Sequence, residues 1–166
     1  QREVSEMFSA GYPAETIVGY EVQIKLVFLK KVMNYSGTGN KFHLRLFNRK
    51  FGNFNTALVH ENVELNGSLR HLKYPMLHYS YLTVEDYFNK FNAYTTFAAQ
   101  DMAKKNKRIS LVMLFTSFQV HFIKRFIFRL GFLDGYHGFL WSLFSAMYPS
   151  VKYAKLIELK KSGDVF

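Results

Sequence analysis

Residues 76–97 read MLHYSYLTVEDYFNKFNAYTTF, and the spacing of the apolar residues changes within this stretch. The first part has the extended character of a strand. Thr83 is a suitable helix N-cap, and Asp86 lies three positions later, where a capping box places its second residue. Beyond Thr83, aromatic residues recur at the spacing of one helix face: Tyr87, Phe91, Tyr94 and Phe97. The stretch therefore predicts that a strand region ends and a helical region begins near residue 83.

Upstream of this point, the pattern predicts strands. Residues 18–24 and 42–47 both alternate apolar and polar side chains, which is typical of half-buried strands. Asn66-Gly67 favours a tight hairpin turn, and residues 69–81 predict a returning strand that is interrupted at Pro75. Residues 35–40 contain two glycines, for which a plain connecting loop is favoured over a phosphate cradle.

Downstream, the pattern predicts helices. The first runs to about Asn106, and the second covers 111–130 and stops at Gly131. The third runs from 138 to 148, is interrupted by Pro149 and resumes over 151–161. We expect one stripe of the second helix to pack inward: Leu111, Leu114, Phe115, Phe118, Phe122 and Phe126.

The order of elements predicts an α+β fold, with a few mixed or antiparallel strands followed by three or four helices. We expect a strand-rich part over 1–82 and a helical part over 83–166. The absence of cysteine excludes disulfides and thiolate metal sites. The formal net charge of +10 predicts a polyanionic neighbour: nucleic acid, anionic lipid or a phosphorylated substrate.

The most apolar stretch, 109–130, also carries Lys124, Arg125 and Arg129. Several charges within a span argue against a transmembrane helix, so we expect no membrane crossing. Basic residues among Phe122, Phe126 and their neighbours favour an amphipathic helix in contact with an anionic membrane surface. A buried helix with one basic edge is the alternative interpretation.

Four segments occur in an order and spacing that resemble one family. They are LRLFNR at 44–49, VHENV at 59–63 with Gly67 after it, LHYSY at 77–81 and GFLDGYHG at 131–138. Together they resemble successive landmarks of bacterial family 2 glycosyltransferases of the lipopolysaccharide-core glucosyltransferase type. The resemblance covers nearly the whole chain and corresponds to the C-terminal, acceptor-side part of such enzymes.

This resemblance implies a GT-A fold and an inverting transfer of sugar from a nucleotide-sugar donor to an oligosaccharide or lipid-linked acceptor of the cell envelope. In such enzymes an N-terminal half binds the donor and holds a divalent cation, Mg or Mn, through an Asp-rich motif. The aspartates of this chain are isolated, so we expect that half to precede Gln1 and the chain alone to be inactive. The implied location is cytoplasmic, peripheral on the inner face of the cytoplasmic membrane.

The resemblance also selects site residues. Glu61 matches the acidic residue of the acceptor site and would act as the catalytic base, with His60 positioning it. His78 would approach the diphosphate or ligate the cation, and Arg45 offers a planar fork for phosphate or carboxylate. The alternatives are a surface Glu61 paired with a nearby cation, a hydrogen-bonded His78 and a solvated Arg45. For Asp134, between two glycines, a turn or helix-capping role is favoured over a catalytic one.

Two other classes of function compete with the enzyme. A basic, aromatic-rich chain suits single-stranded nucleic acid, but no RNA-binding aromatic signature or basic recognition helix is present, so nucleic acid is not favoured. A noncatalytic membrane-peripheral module is the third interpretation.

Overall fold

A computed structural model describes residues 5, 17–38, 42–54 and 63–162. Within these ranges the chain has an α+β fold with strands first and helices last, as the sequence predicted. The strands are β1 (Ile17–Phe28), β2 (Lys31–Val32), β3 (Phe42–Phe47), β4 (Gly52–Phe54), β5 (Val63–Leu65), β6 (Ser68–His71) and β7 (Met76–Tyr81). The helices are α1 (Val84–Lys104), α2 (Leu111–Ile123) and α3 (Tyr136–Ser162), with a π-helical turn at Lys124–Phe128 and a 3-10 turn at Gly131–Asp134.

β1 organises the main sheet, which is mixed. It pairs antiparallel with β2 and β3, pairs in parallel with β6, and also pairs with β7. β4 and β5 form a separate antiparallel pair. Val18, Tyr20 and Val22 of β1 are buried, as the two-residue period predicts, whereas Ile24 is only half-buried.

The expected hairpin at Asn66-Gly67 is wrong. β5 pairs with β4, whereas β6 runs parallel to β1, so the turn joins strands of two different sheets. Gly67 has φ +144°, and a Cβ there would lie 2.4 Å from Cγ1 of Val18. The glycine therefore serves a close backbone approach to β1, a requirement that produces the same local sequence signal as a hairpin.

The described residues divide into two compact units. The strand unit comprises 17–25, 42–54 and 63–78, and the helical unit comprises 26–38 and 79–162. The segment 26–38 was expected among the strands, yet it lies with the helices because Phe28 and Met33 are fully buried in their core. The ring of Phe28 makes edge contacts with Trp141 at 5.2 Å and Tyr87 at 5.9 Å between centroids.

α1 begins as its sequence predicts. The hydroxyl of Thr83 accepts the N–H of Asp86 at 3.0 Å, and the Asp86 carboxylate accepts the N–H of Thr83 at 3.0 Å. This reciprocal capping box satisfies two donors that a helix start leaves unpaired. The buried face repeats every four residues, through Tyr87, Phe91, Thr95, Ala99 and Ala103.

α2 packs on α3 through only part of its expected stripe. The rings of Phe122 and Phe126 meet the edge of Phe139 at 6.0 and 5.8 Å, but Leu111 and Phe115 are exposed. The helix ends through Leu130, which has φ +54°, and not through Gly131. A Cβ on Gly131 would lie 2.8 Å from the carbonyl oxygen of Arg125, so that glycine serves close packing.

α3 runs without interruption through Pro149, so the expected break there is wrong. A proline removes the N–H that would bond to the carbonyl of Ser145 and costs a helix interior about 3 kcal/mol. Burial offsets this cost, because Pro149 and its neighbour Ala146 are both inside the helical unit, where α3 packs on α1 and α2.

Asp134 is a buried turn residue whose carboxylate bonds to residues far away in the sequence. Its carboxylate accepts the backbone N–H of Asn34 at 3.2 Å and of Tyr35 at 2.9 Å. The ammonium of Lys31 donates to its carbonyl oxygen at 2.7 Å. The predicted turn is confirmed, whereas the carboxylate caps no helix and instead fixes the 31–35 segment within the helical unit.

Candidate functional site

The predicted catalytic base Glu61 and the predicted substrate-binding and positioning residue His60 lie outside the described residues. Their roles therefore stay predictions. Arg45 is exposed on β3, where its Nη1 donates to the carbonyl oxygen of Leu44 at 3.3 Å. No hydrogen bond or ion pair joins Arg45 to His78 among the residues that the structure describes. Arg45 is exposed to solvent, and no carboxylate of the described residues pairs with it.

His78 is exposed on β7 in the strand unit. No group of three histidine, aspartate or glutamate side chains that could hold a metal ion occurs within 17–38, 42–54 and 63–162. These residues alone do not form a site for Mg or Mn. The expected cation, with His78 as one contributing ligand, remains a prediction.

The strand unit does bring together three side chains that the sequence analysis missed. Nε2 of His71 lies 3.0 Å from Oε2 of Glu21, and the imidazole stacks on Phe42 with centroids 3.9 Å apart and planes 10° from parallel. Because an ionised carboxylate only accepts, the Nε2–H donates to it. These residues come from β6, β1 and β3, so only the strand register, and no local motif, could have placed them together.

The helical unit presents an exposed apolar surface along α2 and the π-helical turn. Phe115 is 69% exposed and Phe128 is 77% exposed, although large apolar side chains usually find cover. A shallow groove of about 540 Å³ is lined by three apolar residues and two cations: Val120, Ile123, Phe128, Lys124 and Arg129. We call this surface the apolar face of α2; its residues are Leu111, Val112, Phe115, Val120, Ile123, Ile127 and Phe128.

The segment Leu111–Phe128 is long and apolar enough to cross a membrane, judged by length and composition alone, and little of it is buried. Its flanks are basic. Between Asp101 and Asp134 the sequence has no acidic residue. Cations lie before the apolar face, within its last turn and directly after it: Lys104, Lys105, Lys107, Arg108, Lys124, Arg125 and Arg129.

Comparison with known proteins finds relatives in several Rickettsia species. The chain is 28% identical to an uncharacterized glycosyltransferase of Rickettsia typhi, over 99% of this chain and 60% of that protein. It is 31% identical to counterparts of the same name in Rickettsia prowazekii and Rickettsia felis, over 73% of this chain and 45% and 46% of those proteins. No protein-family model and no solved structure matches the chain. The chain thus spans about half the length of the curated relatives that it matches, and those relatives are named glycosyltransferases.

Proposed function

We propose that this chain is the acceptor-side part of an inverting glycosyltransferase of family 2, with a GT-A fold, which works at the surface of an anionic membrane. The observation that carries the enzyme class is the similarity to glycosyltransferases over 99% of the chain. The four ordered landmarks, LRLFNR, VHENV, LHYSY and GFLDGYHG, support the finer family assignment.

In this proposal Glu61 takes the proton from an acceptor hydroxyl while the oxygen attacks the anomeric carbon of the donor sugar. The new glycosidic bond forms on the face opposite the leaving nucleoside diphosphate, so the configuration inverts. Arg45 and His78 contribute donors for the phosphates, and His60 positions the base. The acceptor is a lipid-linked or core oligosaccharide of the bacterial envelope, such as that of lipopolysaccharide.

The apolar face of α2 supports the membrane part of the proposal. The opposite side of this helical segment is already covered, because Phe122 and Phe126 pack on α3 and the hydroxyls of Ser117 and Ser150 lie 3.0 Å apart. Only the outer side is left for lipid, which suits a helix lying in the interface better than one crossing the bilayer. Each nearby cation adds about 1 kcal/mol of attraction to an anionic leaflet. We place this surface on the inner face of the cytoplasmic membrane.

The enzymatic part is tested with the full-length protein, a panel of labelled nucleotide sugars and extracted bacterial glycolipids. We expect transfer with inverted anomeric configuration. Glu61→Gln should abolish transfer while donor binding, followed by calorimetry, is retained. Glu85→Gln, on the exposed first turn of α1, is the matched control. Normal turnover by Glu61→Gln would remove Glu61 from the role of base, and absence of transfer from every donor would contradict the enzyme class.

The membrane part is tested by flotation with vesicles of phosphatidylglycerol and phosphatidylcholine, and of phosphatidylcholine alone. We expect binding to the anionic vesicles only, with release by alkaline carbonate. Resistance to carbonate would indicate a spanning helix instead. Binding to single-stranded oligonucleotides but not to anionic vesicles would favour the nucleic-acid interpretation.

A further inference from the structure

A second cavity, of about 280 Å³, lies inside the helical unit where α1, α2 and α3 meet. None of the predicted transferase residues lines it. We call it the basic pocket. The lining residues that matter here are Tyr87 of α1, His121 of α2, Arg125 of the π-helical turn, and Ser145, Tyr148 and Lys152 of α3.

Arg125 is partly buried in this pocket without a carboxylate partner among the described residues. Its Nη1 donates to the carbonyl oxygen of Ser36 at 3.2 Å. A guanidinium has five donor hydrogens, so most of its capacity is unused. Burial lowers the pKa of Arg125 from its ordinary value, and the like charge of Arg129 lowers it further, whereas Tyr87 acts in the opposite direction. A buried, unpaired cation is costly to keep unless a ligand compensates for it.

Two more basic side chains line the same cavity. Nδ1 of His121 lies 2.8 Å from the carbonyl oxygen of Ser117. In the neutral tautomer whose Nδ1–H donates to this oxygen, Nε2 carries no proton. The ammonium of Lys152 lies over the rings of Tyr148 and Tyr153, 5.8 and 5.0 Å from their centroids. Within the described residues Lys152 has no ion pair, so its N–H donors are available to a ligand.

The remaining polar groups of the basic pocket are neutral. Burial raises the pKa of Tyr87 to about 12, despite a side-chain hydrogen bond with Ser145 that acts in the opposite direction. Burial also raises the pKa of Tyr148, whose hydroxyl donates to the carbonyl oxygen of Tyr94 at 3.2 Å. The phenols therefore stay uncharged at neutral pH, and the lining has an unbalanced positive charge.

We infer that the basic pocket binds a phosphoryl group. The guanidinium fork of Arg125 matches two phosphoryl oxygens, and the ammonium of Lys152 provides a second positive charge for a dianion. Arg125 lies in a π-helical turn, an irregularity that is frequent at functional sites. The cavity admits a phosphate together with part of what it is attached to. This inference does not depend on the reaction proposed for Glu61.

The first test is titration of the full-length protein with inorganic pyrophosphate at constant ionic strength, followed by thermal shift. We expect saturable stabilisation. Arg125→Gln and Lys152→Gln should each weaken apparent binding about tenfold, because each removes a charge-assisted contact. Lys161→Gln removes the same charge from an exposed position of α3 that does not line the pocket, and it should leave binding unchanged. Equal stabilisation of all four proteins, or of none, would overturn the inference.

Melting without ligand separates weakened binding from weakened folding. Arg125→Gln also removes the bond to the carbonyl oxygen of Ser36, whereas Lys152→Gln removes no hydrogen bond that the described residues provide. We therefore expect Lys152→Gln to melt near the parent temperature in the absence of pyrophosphate, and its weaker binding to be the decisive result. If Lys152→Gln melted well below the parent without ligand, this cation would be structural and the inference would be overturned.

A second titration separates the two sources of a phosphoryl group. Monomeric dihexanoyl phosphatidic acid represents a lipid phosphate, and dihexanoylglycerol is its phosphate-free control. Tighter binding of phosphatidic acid than of pyrophosphate would identify a lipid headgroup, and the reverse order would identify a soluble diphosphate. Binding of dihexanoylglycerol with the affinity of phosphatidic acid would overturn the inference, since the phosphate would then contribute nothing.

Discussion

The strand unit and the helical unit arrange their polar groups in opposite ways. In the strand unit Arg45, His71 and His78 are exposed. In the helical unit polar groups such as Asp134 and Thr95 are buried and bonded, while apolar side chains of α2 face outward. The difference indicates that Arg45 and His78 of the strand unit face solvent and can take part in chemistry, whereas the buried polar groups of the helical unit stabilise the fold. The apolar side chains of α2 are left uncovered.

The largest effect should come from the buried carboxylate of the helical unit. Asp134→Ala should lower the free energy of unfolding by about 3–4 kcal/mol, because it leaves the N–H groups of Asn34 and Tyr35 without their acceptor. Urea denaturation measures the change. The control is Asp101→Ala, whose exposed carboxylate pairs only with Lys105 at 2.8 Å and should cost less than about 0.5 kcal/mol. Equal losses of unfolding free energy in the two variants would contradict the contrast between the buried and the exposed carboxylate.

The apolar face of α2 should give the next effect. The double variant Phe115→Ser, Phe128→Ser should reduce partitioning onto anionic vesicles by at least about a hundredfold, since interfacial burial of each ring contributes roughly 1.5–3 kcal/mol. Its thermal stability should not fall. Tyr94→Ser, Phe97→Ser on α1 removes rings that are 54% and 64% exposed and is the matched control. A similar loss of vesicle binding in both double variants would mean that exposed aromatic residues in general, not this face, mediate the contact.

A smaller effect should appear at high pH. The raised pKa of Tyr87, about 12 against an ordinary 10.0, means that the unfolded chain loses this proton first as pH rises. Stability is therefore unaffected below about pH 10 and falls between about pH 10 and 12, by roughly 2–3 kcal/mol. Tyr87→Phe should flatten this decline in urea denaturation. Tyr136→Phe, which changes an exposed tyrosine, should leave the alkaline decline unchanged. An unchanged alkaline profile in Tyr87→Phe would show that other groups dominate the decline.

The smallest effect on stability should come from the strand unit. Arg45→Gln and His78→Gln should each change the free energy of unfolding by less than about 0.5 kcal/mol, because both side chains are exposed. Their transfer rates should nevertheless fall if they meet the donor phosphates as proposed. Lys50→Gln, an exposed cation near Arg45, should change neither quantity. A large loss of stability with normal transfer would reverse the roles assigned to the two units.

Local signals in the sequence predicted most of the secondary structure. Thr83 and Asp86 predict where α1 begins, because a capping box depends only on two residues that are three positions apart. The alternation in β1 and β3 likewise follows from neighbours along the chain. The pairing of β6 with β1, the contact between Glu21 and His71, and the inward turn of Asp134 depend on partners dozens of residues away, which a periodicity does not specify.

Other features misled because one residue type serves two purposes. The pattern predicts a turn at Gly67 and a helix stop at Gly131, but both glycines permit close packing where a Cβ would clash. Pro149 predicts a break, although burial of α3 outweighs its cost. The basic pocket has one sequence signal: His121 and Arg125 are four residues apart on a helical segment without acidic neighbours, a spacing that places both on one face.

The bond from Asp134 to Asn34 joins residues 100 positions apart in the chain. During synthesis, the segment that contains Phe28 and Met33 emerges long before the residues that enclose it. Those two side chains stay exposed until nearly the whole of this region has been synthesised. The order of synthesis therefore runs against the order of assembly in the helical unit, and an incomplete chain presents a hydrophobic strand for chaperones to recognise.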